Sequence, residues 1–321
     1  MRHEAVGREA LTFGRALLPA LSLAVVVSLF AGAAQAQRKA AAAAKPSART
    51  VTVKTEAGAV VWVDEVRRGA TDAEGKLQLA LTPGRHTLRV RAQGFAERTL
   101  PLLPTQRGPV AVRLVPTTDE AVLLFQRAES ARERAGGNAE SIELYRKALE
   151  LRPRFAEAHL GLARSLAAAD DHEAALEQVA EARRDRPGYA EASAVEGRIL
   201  RASSDYDAAL SAYARAVREA RGFQPEAHTG AGLVYEETGR HEEAVAAFRK
   251  AIAQLSDTEP VLYELLGRNL EKLERWKEAV AAYEKYLALA PQGSHASAIN
   301  SIIDQLRRQA AEQESSPPQQ F

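Results

Sequence analysis

The sequence predicts a multidomain chain: a small all-β sandwich followed by an all-α superhelical solenoid. Three observations carry that expectation. Between Val51 and Leu114 apolar residues recur at a spacing of two, with Gly and Pro at the breaks. From Thr117 onward the period becomes helical, and small residues return every 34 or 35 positions. At 321 residues the chain also exceeds what one small core fills, so about two domains are expected.

The first 36 residues stand apart. Arg2, Arg8 and Arg15 precede an uncharged run from Ala16 to Ala36, which closes on Ala34-Gln35-Ala36, a small-x-small cleavage pattern. Residues 1–36 are therefore expected to be a secretory signal peptide cut after Ala36, with the protein periplasmic or otherwise exported. The strongly apolar part, about 15 residues, falls short of the ~20 that span a bilayer as a helix, so membrane contact is expected only if the segment stays uncleaved. Residues 37–49, QRKAAAAAKPSAR, are alanine-rich and basic with little to bury, and read as a flexible linker. Cysteine is absent. That excludes disulfides, acylation on cysteine and thiolate chemistry, and leaves stability to packing.

Residues 50–116 alternate. Val51 and Val53, then Ala59, Val61 and Val63, then Leu77, Leu79 and Leu81, then Leu88 and Val90, then Val110, Val112 and Leu114 each place one face of a strand in a core. Ala57-Gly58, Glu74-Gly75, Pro83-Gly84, Gly94 and Gly108-Pro109 separate the runs. The strings TEAGAVVWVDEVRRGAT and LTPGRHTLRVRAQGF resemble a PEGA domain, with L-x-P-G-x-H-x-L-x-V and a following Gly-aromatic pair. Glu56-Ala57-Gly58-Ala59 stands for the eponymous tetrapeptide, and Asp72 follows Thr71 where proline is usual. The resemblance implies an accessory module of exported proteins with no catalytic residues. Its charge is lopsided: residues 37–115 carry 14 Lys and Arg against 6 Asp and Glu, whereas residues 116–321 carry 26 against 34.

Residues 117–291 divide into five units. Ser141, Ala175, Ala209, Ala244 and Ala279 anchor them, and four positions later stand Tyr145, Val179, Tyr213, Phe248 and Tyr283. Twelve positions before the last four anchors lie Ala163, Gly197, Gly232 and Gly267, with Glu129 at that slot of the first unit. Small residues where two helices cross and a large one beside them form the pattern of the tetratricopeptide repeat, which the chain resembles. Residues 292–313, with Ile299, Ile302 and Leu306 on one face, are expected to cap the open end. Residues 314–321 read as a disordered tail.

Two stretches mimic a metal centre. HEAAL at His172 and HEEAV at His241 begin like H-E-x-x-H, but Leu176 and Val245 replace the second histidine. The slot three before the anchor takes Asn138, His172, Tyr206, His241 and Trp276, which selects a flat, half-buried side chain rather than a ligand. Gly230-x-Gly232 lacks the third glycine of a dinucleotide loop, and no phosphate-binding or nucleophile-elbow motif occurs. No enzyme activity, cofactor, metal or nucleic-acid partner is expected.

The repeat resemblance implies a concave groove lined by first helices. It assigns Glu157, Leu160, Arg164 and Ala168 of the second unit to that face, and Glu191, Ala194, Arg198 and Arg201 of the third. Thr229, Leu233, Glu236 and Glu237 follow in the fourth unit, and Glu264, Arg268, Glu271 and Lys272 in the fifth. Arg164, Arg198, Arg201, Glu236, Glu237 and Arg268 are the expected partner-binding residues, the arginines meeting carboxylates of an envelope protein or peptide. The expected function is an exported, non-enzymatic scaffold in cell-envelope assembly. The alternative is attachment of the basic β-module to an anionic cell-wall or outer-surface polymer.

Overall fold

The computed structural model describes residues 49–81, 84–255 and 258–315, so the expected signal peptide, residues 37–48 of the expected linker and residues 316–321 of the expected tail lie outside the described residues. Two boundaries shift. Arg49, assigned to the linker, opens the first strand, where its guanidinium donates to the carbonyls of Leu103 at 2.6 Å and Pro104 at 2.7 Å. The last helix runs to Ser315, two residues into the expected tail, and the Ser315 hydroxyl donates to the Glu312 carbonyl.

Among the described residues nine strands precede eleven helices. The strands are β1 (Arg49–Lys54), β2 (Val60–Val63), β3 (Val66–Ala70), β4 (Lys76–Leu81), β5 (His86–Arg91), β6 (Phe95–Ala96), β7 (Arg98–Leu102), β8 (Val110–Ala111) and β9 (Val115–Pro116). One sheet has the order β4-β1-β8, with β1 antiparallel to β4 and parallel to β8. The other, antiparallel throughout, has the order β3-β2-β5-β7, and β6 pairs with β9. Val51, Val53, Leu79 and Leu81 of the first sheet pack against Val61, Val63, Leu88 and Val90 of the second in one buried core. The period-two alternation thus builds a sandwich. β3 and β7 escaped the alternation for different reasons. VRRGA holds no apolar alternation, and β7 carries Pro101, tolerated because β7 is an edge strand.

The helices are α1 (Glu120–Arg132), α2 (Asn138–Leu151), α3 (Ala156–Ala167), α4 (His172–Asp185), α5 (Ala190–Ala202) and α6 (Tyr206–Glu219). They continue as α7 (Pro225–Glu237), α8 (His241–Gln254), α9 (Pro260–Lys272), α10 (Trp276–Leu289) and α11 (Ala296–Ser315). Each odd-numbered helix from α1 to α9 pairs with the next, α11 packs on α10, and α1, α3, α5 and α7 touch in sequence. Asp119, Asp171 and Asp205 cap the helices they precede through their carboxylates, and Pro225 and Pro260 open α7 and α9. The residue five before each anchor has a positive φ in all five units: Gly136, Asp170, Ser204, Gly239 and Glu274. A left-handed residue there turns the chain from first helix to second, whatever the side chain.

All five anchors are fully buried. The large residue four positions later lies on a small one of the first helix: a Cβ added to Gly197 would sit 2.7 Å from the Tyr213 ring, one on Gly232 2.6 Å from Phe248, and one on Gly267 2.6 Å from Tyr283. Where that filler is only Val179, the facing slot holds Ala163. The same rings reach into the next unit. A Cβ on Gly161 would meet Tyr145 at 2.4 Å, and one on Gly230 would meet Tyr213 at 2.2 Å, its hydroxyl end included. The equivalent slot holds Val195 after Val179 and Leu265 after Phe248. Glycine occupies it where the preceding filler is tyrosine, so ring length sets the side chain that the following helix carries. Gly230→Ala should gain about 1 kcal/mol of helix propensity yet lose about 1–3 kcal/mol to overpacking. The expected net result is a lower urea midpoint, and Tyr213→Val in the same chain should weaken the penalty.

Candidate partner-binding site

In β2 and β5 the residues between the core positions point the other way. Trp62, Arg89 and Arg91 share the outer face of the four-stranded sheet, yet they are only 8%, 5% and 8% exposed. The first helices of the solenoid cover them. Arg89 stacks over Trp62 at 4.4 Å, and Arg91 lies over Trp62 at 5.0 Å and over Phe125 of α1 at 4.5 Å. Arg91 donates to Glu129 of α1 at 3.3 Å and to Glu97 at 2.7 Å, while Arg89 meets Glu65 at 3.0 Å and Glu191 of α5 at 3.6 Å.

The carboxylates on the solenoid side are shared. Glu191 also accepts from Arg164 at 2.6 Å and Glu129 from Arg132 at 3.3 Å, and Tyr145 donates to Glu129 through its hydroxyl. Burial pushes both carboxyls up, but the facing arginines outweigh it and hold Glu129 and Glu191 below the ordinary carboxylate range. Arg164 and Arg89 are raised for the reciprocal reason, their burial being overcome by Glu191 and neighbouring carboxylates. The Gln126 amide completes the seam. It accepts from the Gly94 backbone N–H at 2.8 Å and donates to the Phe95 carbonyl at 2.7 Å.

The tip of the β2–β3 hairpin contributes as well. Asp64 and Glu65 both adopt positive φ, a conformation that favours Asn-Gly, and each has a use for its longer side chain. Asp64 accepts from the Thr87 backbone N–H at 2.8 Å and lies 2.5 Å from His86 Nδ1, and Glu65 reaches both Arg89 and Arg186 of the solenoid. Glu129, which breaks the small-residue rule of the first unit, is therefore the socket for Arg91.

A cavity of about 1110 Å³ remains between this sheet face and the first helices. Val60, Trp62 and Arg68 line it on the β-module, and Arg198, Thr229 and Leu233 on the solenoid. Its volume lies just above the ~300–1,000 Å³ of small-ligand sites. A second cavity of about 930 Å³ lies between α9, α10 and α11, walled by Glu264, Arg268, Tyr283 and His295.

The six sequence-predicted residues fall into intramolecular pairs between neighbouring units. Arg164 bonds Glu191 at 2.6 Å, Arg198 meets Glu226 at 3.3 Å, Arg201 meets Glu237 at 2.5 Å and Arg268 meets Glu236 at 2.9 Å. Arg164, Arg198 and Arg201 line the first cavity, and Glu236 and Arg268 the second. Glu237 is reached through its pair with Arg201. Leu160 and Ala194, assigned to the groove, are instead buried in the repeat cores, at 1% and 0% exposure. His172 and His241 open α4 and α8 at the half-buried position that Asn138, Tyr206 and Trp276 hold in α2, α6 and α10. His241 Nδ1 lies 2.9 Å from Asn269 Oδ1. Among the described residues no group of His, Asp and Glu is arranged to hold a metal.

Sequence models of the tetratricopeptide repeat match residues 132–199, 195–260 and 262–297. The solenoid is built of tetratricopeptide repeats. No curated protein matches the chain. Among solved structures, pilF of Pseudomonas aeruginosa is similar with a TM-score of 0.52 at 20% identity, over 60% of this chain and 88% of that one. TTC0263, a thermophilic repeat protein of Thermus thermophilus, gives 0.47 at 23% identity, over 59% and 99%. YrrB, described as a repeat protein with an unusual peptide-binding site, gives 0.43 at 19% identity, over 58% and 94%.

The tetratricopeptide groove is thus partly filled by the chain's own β-module. Removing one charge from the seam leaves buried partners uncompensated, and Glu191→Gln is expected to cost about 3–5 kcal/mol. Because Glu129 and Glu191 titrate below their unfolded value of about 4.3, their contribution is complete above that pH and is lost as pH falls through the lower folded values. In a Trp276→Phe variant, Trp62 fluorescence should be constant from neutral pH down to about 4.3 and change only below it.

Proposed function

We propose that this protein is an exported, non-enzymatic scaffold that holds a segment of an envelope protein in the cavity between its β-module and its tetratricopeptide repeats. One observation carries the reading. The repeats' inner face is not an open trough: Arg89 and Arg91 lock the β-module onto α1 and α5, so the space left to a partner has a wall from each part of the chain. A site that both parts must build gives the chain a reason to join a β-module to a solenoid. The mixed lining of Val60, Leu233 and charged side chains suits a peptide better than a wholly apolar or wholly ionic ligand. Export rests on the basic and apolar character of residues 1–36, and the β-module's resemblance to PEGA domains of exported proteins agrees with it.

Attachment of the β-module to an anionic polymer draws on fewer charges than its composition suggests, because Arg67, Arg89 and Arg91 are engaged by Glu133, Glu65, Glu97, Glu191 and Glu129. No helix among the described residues is long and apolar enough to cross a membrane.

Two measurements test the proposal. Protein recovered from the periplasmic fraction should begin at Gln37 by N-terminal sequencing, and recovery of the uncut chain from the cytoplasm would remove the export reading. A photo-crosslinking residue at Thr229, inside the cavity, should trap a discrete envelope protein that the same residue at Leu151, 54% exposed on α2, does not. Identical patterns from the two positions would sink the cavity reading.

A further inference from the structure

Arg68 differs from the other arginines of the first cavity. It stands at a bulge in β3: Gly69 pairs with Val61 and Arg67 with Trp62, which leaves Arg68 without an opposite residue in β2. A bulge bends its strand and re-aims the side chain it ejects. Gly69, at φ +135°, supplies the backbone conformation, and the ejected guanidinium lines the cavity.

Seven other arginines line the same cavity, and among the described residues every one has a carboxylate within ion-pair distance. Arg68 has no such partner among the described residues, and its Nε, like those of Arg89, Arg132 and Arg201, is buried without an acceptor. Burial lowers its pKa against the more distant pull of Asp64 and Glu259. Holding a partly desolvated cation with no carboxylate in contact costs free energy, which a bound anion would offset.

We propose that Arg68 is the anion-recognising residue of this cavity, and that the ligand is a peptide segment presenting a carboxylate to its guanidinium, seated between β3 and the first helices α5 and α7. This deepens the partner-binding reading above and rests on it. The class of anion follows from charge. One uncompensated guanidinium matches a monoanion, and Glu259 in the same lining opposes a doubly charged phosphate. A carboxylate also fits the guanidinium fork with two parallel hydrogen bonds. The peptide character follows from the apolar Val60, Leu233 and Val261 nearby and from the position of β3 as an edge strand, which an extended segment can approach along its backbone.

The test is selection of a displayed random dodecapeptide library on the full-length chain, followed by titration of enriched peptides against variants. The expected result is a shared Asp or Glu, at least tenfold weaker binding to Arg68→Gln, partial recovery in Arg68→Lys, and a melting temperature for Arg68→Gln no lower than that of the parent. Peptides that bind Arg68→Gln as well as the parent but are blocked by Leu233→Trp would overturn the role of Arg68 and leave the cavity as the partner site. Enriched peptides without an acidic residue, or a lowered melting temperature of Arg68→Gln with binding intact, would also overturn it. If no peptide is enriched, this inference and the partner-binding reading both fall.

Discussion

The contact between aromatic rings and helical glycines sets the geometry on which everything else is built. Tyr213 lies between Gly197 of its own unit and Gly230 of the next, so a single side chain fixes both the crossing inside a repeat and the stacking between repeats. Interiors packed at this density transmit shape rather than absorb it. The curvature of the first-helix face, and therefore the width of the space in front of it, follows from how closely those rings let successive helices approach.

Onto that face the chain places its own β-module. The seam is polar at its centre, with Arg89 and Arg91 between Trp62, Phe125 and the carboxylates of Glu129 and Glu191. Buried ion pairs of this kind add little net stability over apolar packing, but they punish misplacement, since any shift strands a charge. The pairs therefore disfavour other placements of the module, and Gln126 adds two bonds to its backbone, at Gly94 and Phe95. The inter-repeat pairs Arg198–Glu226 and Arg268–Glu236 differ in degree. They are more exposed, and pairs in water contribute about 0–1 kcal/mol. Their effect is to neutralise the groove, which leaves Arg68 distinct.

Much of this was legible in the residues. The alternation of Val51, Val53, Val61 and Val63 announces strands, and the spacing of Ser141, Ala175, Ala209, Ala244 and Ala279 announces paired helices, because both patterns are local records of which face is buried. The half-buried slot shared by His172, His241, Tyr206 and Trp276 was readable for the same reason. The partner-binding residues were legible only as positions on a helix. That Arg164 faces Glu191 and Arg201 faces Glu237 depends on how far one unit is rotated against the next, and periodicity does not encode that angle. One signal was present: Glu129 at a slot that otherwise takes Ala or Gly marks a place where something polar must arrive.

The amino-acid sequence by itself determined the two architectures, their order and the rule of small facing large, since each is dictated by burial within some 35 residues of chain. Only the tertiary structure decided that the outer face of one part closes on the inner face of the other, that Arg89 and Arg91 are interior rather than solvated, and that the bulge in β3 turns Arg68 into a cavity. Those outcomes join residues up to 121 positions apart, as Glu65 and Arg186 are. No pattern along the chain carries information over that distance, because what selects the pairing is complementary charge and shape between finished surfaces.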